Sequence, residues 1–156
     1  MPEKILEYIA RFLALIVVLP LHEFAHAFAA VKSGDFTPKL YNRYTLNPMA
    51  HFDLYGIIFF VLAGFGWAKP VPVDSRHFRH PKQGMAVTAL AGPISNFLLA
   101  LLLVLLCKVI YLYNYPSAFF VELFYMLLYA AQLSIGLGLF NLLPIPPLDG
   151  SKVLSA

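Results

Sequence analysis

Val18-Leu19-Pro20-Leu21-His22-Glu23-Phe24-Ala25-His26-Ala27-Phe28 lies inside a run, residues 5–31, that is apolar except for Glu7, Arg11 and the group at His22, Glu23 and His26. About 20 apolar residues carry a helix across a bilayer core, so the run is long enough to span. Residues four apart share one face of a helix, and His22 and His26 therefore offer two imidazoles to one point. Three ionisable side chains in five positions at membrane depth are costly and mark function. A divalent cation satisfies all three. The His-Glu-x-x-His spacing gives Zn²⁺ two ligands and sets the intervening acid beside a water. Two histidines merely packed between helices is the weaker reading, because it leaves their polarity unanswered. The run is not a secretory signal: it is too long, its basic start is weak, and it carries acid and histidine.

The rest of the chain has the same solvent. Its 156 residues suit one domain, 1–156. Hydrophobic residues make up 60% and charged residues 12%, and the mean hydropathy is +0.74. A soluble fold of this size has too little interior to hide that much apolar surface. Disorder needs the opposite composition. The single cysteine, Cys107, excludes a disulfide scaffold and reads as an inert membrane thiol. Residues 84–107 and 123–148 carry no charge and can each span. Gly92-Pro93 reads as a helix start, where proline's missing N–H costs nothing. A fourth uncharged run, 54–68, is too short to span and holds Gly56, Gly64 and Gly66. It reads as a re-entrant segment or, with Val71-Pro72-Val73, as a β-hairpin at the membrane face. The expected fold is an all-α polytopic membrane protein: three core transmembrane helices plus this short segment.

Charge orients it. Residues 32–84 hold seven basic side chains (Lys32, Lys39, Arg43, Lys69, Arg76, Arg79, Lys82) and three acids (Asp35, Asp53, Asp74). Such a loop belongs in the cytoplasm, and its charge density is too low to indicate nucleic acid. If 54–68 spanned, its basic flanks would fall on opposite faces. The chain start and the turn near 114–117 then lie outside, with Tyr111, Tyr113 and Tyr115 at the outer interface. At helical rise, His26 lies roughly 9 Å and His22 roughly 15 Å inside the cytoplasmic boundary at Lys32.

A zinc hydrolase site has three protein ligands and a water. The third ligand is expected from Asp149. It follows Asn141-Leu142-Leu143-Pro144-Ile145-Pro146-Pro147-Leu148, a stretch whose prolines cannot continue a helix. Broken backbone at membrane depth is tolerated where it lines a polar cavity. With three spans Asp149 returns to the half that holds the histidines; with four it would end on the other face. A plain Asp-Gly turn is the alternative.

These residues resemble a known family. His22–His26 in one membrane helix, Ala91-Gly92-Pro93-Ile94-Ser95-Asn96 in a second, and Asn141, Pro144 and Asp149-Gly150 ending a third are similar to the site-2 proteases, intramembrane zinc metalloproteases. Leu46-Asn47-Pro48-Met49-Ala50-His51-Phe52-Asp53 and Gly66-Trp67-Ala68-Lys69-Pro70-Val71-Pro72-Val73 resemble the compact prokaryotic branch. The resemblance implies His22, His26 and Asp149 as ligands of one Zn²⁺, Glu23 as general base and Asn141 as a helper near the oxyanion. It implies a multi-pass protein of the cell membrane, its site in the cytoplasmic half, acting on membrane-embedded polypeptides. Such proteins continue past Asp-Gly into a further hydrophobic stretch, whereas six residues follow Gly150 here, which suggests C-terminal truncation.

Two other classes stay open at this point. One is a non-catalytic membrane metal binder or scaffold, which has no use for Glu23. The other is a zinc hydrolase acting on a non-peptide bond. His77 and His80 read as a solvated loop rather than a second metal site. His51 and Asp53 read as structural, Asn96 as an interhelical hydrogen-bonding residue, and Pro20 as a kink. Oligomeric state is not encoded in any of these features.

Overall fold

The computed structural model describes residues 5, 8–9, 11–12, 14–63, 66–113 and 117–156. Helix α1 spans Leu19–Ser33 and follows a π-helical stretch at Ala14–Val18. Pro20 has no N–H to give to the preceding turn, and the wide turn falls immediately before it. A change of helical type thus falls at the position where the kink is expected. Gly34, at φ 112°, ends α1 by donating its N–H to the Ala30 and Val31 carbonyls, a left-handed cap that glycine adopts without strain. Two single turns follow, α2 (Thr37–Leu40) and α3 (Pro48–His51). Asn47 caps α3 by accepting from the Met49 N–H at 3.0 Å.

Helix α4 spans Leu54–Ala63. The hairpin expected here does not form, and the described residues contain no strand. Asp53 starts the helix: its side chain accepts from the Gly56 N–H and its carbonyl from the Ile57 N–H, both at 2.9 Å. In apolar surroundings a helix satisfies its own backbone, whereas a two-stranded ribbon leaves edges unpaired, and this outweighs the β-branched content of 57–61. The chain then doubles back so that Ala68 forms one isolated antiparallel bridge with Phe52. Gly56 permits the return, since a Cβ there would strike the Trp67 backbone.

A 3₁₀ turn at Ser75–His77, capped by Asp74, leads into α5, Pro81–Tyr113. Pro81 takes the helix-start position that Gly92-Pro93 was expected to hold, and Pro93 lies inside the continuous helix. Helix α6 spans Ala118–Asn141, residues 142–148 form turns, and α7 covers Asp149–Ser155. The break after Asn141 is where the prolines predicted it. Helix α5 packs on both α1 and α6, and α7 folds back against α5.

Among the described residues, α5 and α6 are long and apolar enough to cross a membrane. At helical rise they measure about 50 Å and about 36 Å. Leu98, Leu101, Leu102 and Leu105 on α5 are exposed, as suits a face turned to lipid. The first expected span, 5–31, lies partly outside the described residues; its described portion is helical from Ala14 to Ser33. Residues 114–116, and so Tyr115, also lie outside them.

Candidate metal centre

Helix periodicity on α1 sets His22 and His26 on one face, and both are buried. The start of α7 brings in Asp149, also buried. His22 Nε2 and His26 Nε2 are 3.0 Å apart, and Asp149 Oδ2 lies 3.3 Å from the first and 2.9 Å from the second. Tetrahedral zinc with bonds of about 2.0–2.1 Å sets its ligand atoms about 3.3 Å apart. The triangle has that size, and its donor set of two imidazoles and a carboxylate suits zinc.

The surrounding groups aim these atoms. His26 Nδ1–H donates to the Thr88 carbonyl at 2.7 Å, which leaves its Nε2 lone pair for a metal. Asn96 is wholly buried; its amide meets His22 Nδ1 at 3.1 Å while its Oδ1 has no partner. A half-turn of that amide lets Oδ1 accept from Nδ1–H, which frees the His22 Nε2 lone pair in the same way. Ser134 of α6 holds the Asn96 carbonyl at 2.9 Å. On α7, Lys152 Nζ donates to Asp149 Oδ1 at 3.0 Å and leaves Oδ2 toward the imidazoles. Gly92 faces both rings: a Cβ there would lie 2.6 Å from His26 Cε1 and 2.7 Å from His22 Cε1. The residues present thus fit a zinc ion in ligand type, spacing and orientation.

Glu23 is buried beside the triangle, and its Oε2 accepts from the Val71 N–H at 3.3 Å. All four residues line one cavity of about 1020 Å³, bounded by α1, α4, α5, α6, α7 and residues 66–73. Asn141 lines it too, but its amide donates to the Leu137 carbonyl one turn back at 3.0 Å.

Other sequence candidates fall elsewhere. His51 is wholly buried, its Nε2–H donating to the Thr45 carbonyl at 2.8 Å. His77 meets Asp35, and among the described residues no second metal-type cluster forms at His77 and His80. Sequence reasoning missed the Thr88 carbonyl and the Val71 N–H, while the interhelical hydrogen bond expected of Asn96 forms, with His22 as its partner. A signal existed for part of this: Thr88, Gly92 and Asn96 recur every four residues and so mark one polar, narrow face of α5.

The sequence model of Peptidase family M50 matches residues 10–123 and 106–156. The "Putative zinc metalloprotease YwhC" of Bacillus subtilis is 41% identical over 155 residues, 98% of this chain and 70% of that protein. Two proteins named "Putative zinc metalloprotease Rip2" are more distant. The one from Mycolicibacterium smegmatis is 30% identical over 96% of this chain and 59% of its own length. The one from Mycobacterium tuberculosis is 31% identical over 89% of this chain and 53% of its own length. The chain thus spans little more than half of these mycobacterial relatives. No solved structure matches. A family model covering most of the chain, and a relative this similar over nearly all of it, place the chain in peptidase family M50, the zinc metalloproteases of membranes.

Proposed function

We propose that the chain cuts peptide bonds of membrane-embedded polypeptides at a zinc site made by His22, His26 and Asp149, with Glu23 as general base. The observation that carries this is the His22–His26–Asp149 triangle opening, together with Glu23, onto one cavity. Zinc held there supplies Lewis acidity and lowers the pKa of a water towards about 7. Glu23 Oε2 takes the proton of the attacking water and delivers it to the leaving amine. Asn141 reaches the oxyanion by turning its amide from the Leu137 carbonyl into the cavity.

The basic loop 32–84 supports a cytoplasmic placement, with the site in the cytoplasmic half and water entering past the broken 142–148 segment. The apolar run 5–31 supplies the third span, with Ala14–Ser33 as its described helical part, and α4 enters the membrane without crossing it. A helical substrate hides its carbonyls, so it unwinds locally and the 54–73 segment, through its non-helical end at 69–73, holds it as an added strand. Pro70 and Pro72 remove every other donor from that stretch. Of the N–H groups left, those of Lys69 and Val71 are taken by the His51 carbonyl and Glu23, so an added strand pairs through the Val73 N–H and the carbonyls of the stretch.

Metal analysis beside a cleavage assay tests the reading, on wild type and Glu23→Gln in parallel. One zinc per chain is expected in both, with cleavage reduced about 10²–10⁴-fold in the variant. Cleavage that survives the substitution would sink the mechanism. Zinc in both proteins without cleavage by wild type would favour the metal-binding scaffold.

A further inference from the structure

Asp35 lies outside the catalytic group, yet it is a wholly buried carboxylate. It follows the Gly34 cap of α1 and collects donors from three places. The Thr37 N–H and hydroxyl reach Oδ1 at 2.9 and 2.5 Å, and His77 Nδ1 lies 3.3 Å from the same oxygen. The other oxygen, Oδ2, accepts from the Asp74 N–H at 2.8 Å. The neighbouring backbone is stitched across the same junction, with the Arg79 N–H donating to the Ser33 carbonyl at 3.1 Å.

Asp74 ends the segment that touches Glu23. The other end is held by the Lys69 N–H on the His51 carbonyl at 2.8 Å and by the Phe52–Ala68 bridge. Between these two anchors the Val71 N–H meets Glu23 Oε2. Only Pro72 and Val73 separate Val71 from the Asp74 anchor, and the proline ring fixes one of the few soft torsions between them. Moving Asp74 therefore moves the Val71 N–H. Residues 69–74 form a short strap pinned at both ends, and its middle holds the carboxylate of the general base.

We infer that Asp35 is a positioning residue for Glu23, acting through this strap from the far end of α1. This rests on the protease reading for its kinetic consequence but not for its structural one. Asp35 anchors Asp74, Asp74 sets Val71, and Val71 sets the carboxylate that handles the proton.

The test is Asp35→Asn, with hydrogen exchange of the peptide covering 68–75 read beside zinc content and kinetics. The two prolines leave few amides in that peptide, so it reports the anchors directly. Exchange at Val71 and Asp74 should accelerate about tenfold while Lys69 stays protected. With one zinc per chain retained, kcat should fall about 10–10²-fold and KM should change much less. Glu23→Ala should expose the Val71 amide alone. Arg76→Ala, which removes only an exposed ion pair with Asp74, should change neither readout. If Asp35→Asn does not fold, Thr37→Val decides, since it removes one donor to Asp35. About a threefold loss of kcat with faster Val71 exchange is then expected. Unchanged Val71 exchange, unchanged kcat, or a kcat loss that only follows loss of zinc would each overturn the proposal. Wild type that exchanges as expected but cuts nothing would count against the protease reading and leave the strap standing.

Discussion

Gly92 and Gly136 show how differently two glycines can serve one cavity. At Gly92 a Cβ would enter the space of both imidazoles, with His26 Nε2 its nearest neighbour. At Gly136, on the α6 wall of the same cavity, a Cβ would meet nothing within 4 Å. Alanine is the better helix former by about 1 kcal/mol, so only contacts can make either substitution harmful. Gly136→Ala should keep zinc and raise thermal stability slightly. Gly92→Ala should displace the ring pair and lower zinc affinity by about tenfold or more. Competition against a chromophoric chelator measures both, and equal affinities in the two variants would refute the close-packing account. The same scale explains Asn96: a buried amide with an orphaned oxygen beside His22 Nδ1 is a polar group awaiting the tautomer that zinc requires.

Among the elements, α1 is held at its C-terminal end by chemistry unlike that of its metal face. The Asp35 carboxyl is held below the ordinary carboxylate range. Burial alone would raise it, but hydrogen bonds from the Thr37 hydroxyl, the Asp74 N–H, the Thr37 N–H and His77 outweigh burial. A depressed folded-state value means the stabilisation is present above the ordinary value of 3.8 and is lost as pH falls through the lower one. Protection of the Asp74 amide, corrected for intrinsic exchange, should thus persist at pH 5 and fade only well below about 4. Loss between pH 6 and 5 would point to a different anchor. Helix α4 illustrates an element that composition misdirects. Ile57, Ile58, Phe59 and Phe60 favour a strand by propensity, but Asp53 nucleates a helix and apolar surroundings reward internal hydrogen bonding.

For the whole molecule, the site joins parts distant in sequence. His22 and Asp149 stand 127 residues apart, and three ligand atoms of two imidazoles and a carboxylate meet at the junction of α1 and α7 against α5. A metal at that junction should bind the folded chain far better than the unfolded one. At zinc a hundredfold above its dissociation constant the gain is about 2.7 kcal/mol. Chelation should therefore lower the melting temperature of wild type in detergent and leave that of Asp149→Ala nearly unchanged. A melting temperature indifferent to chelator in wild type would mean that the triangle does not hold zinc.

The amino-acid sequence by itself determined the solvent, the two long apolar helices, the histidine pair with its acid, and the broken segment that delivers Asp149. Each of these depends on residue type at a fixed spacing, which periodicity and backbone chemistry translate without knowledge of the fold. Only the tertiary structure decided that Thr88 and Val71 serve the site, because they do so through a carbonyl and an N–H that nearly every residue carries. It also decided that the Asp74 N–H meets Asp35 and that α5 runs unbroken through Pro93, since both follow from which surfaces meet rather than from any local signal.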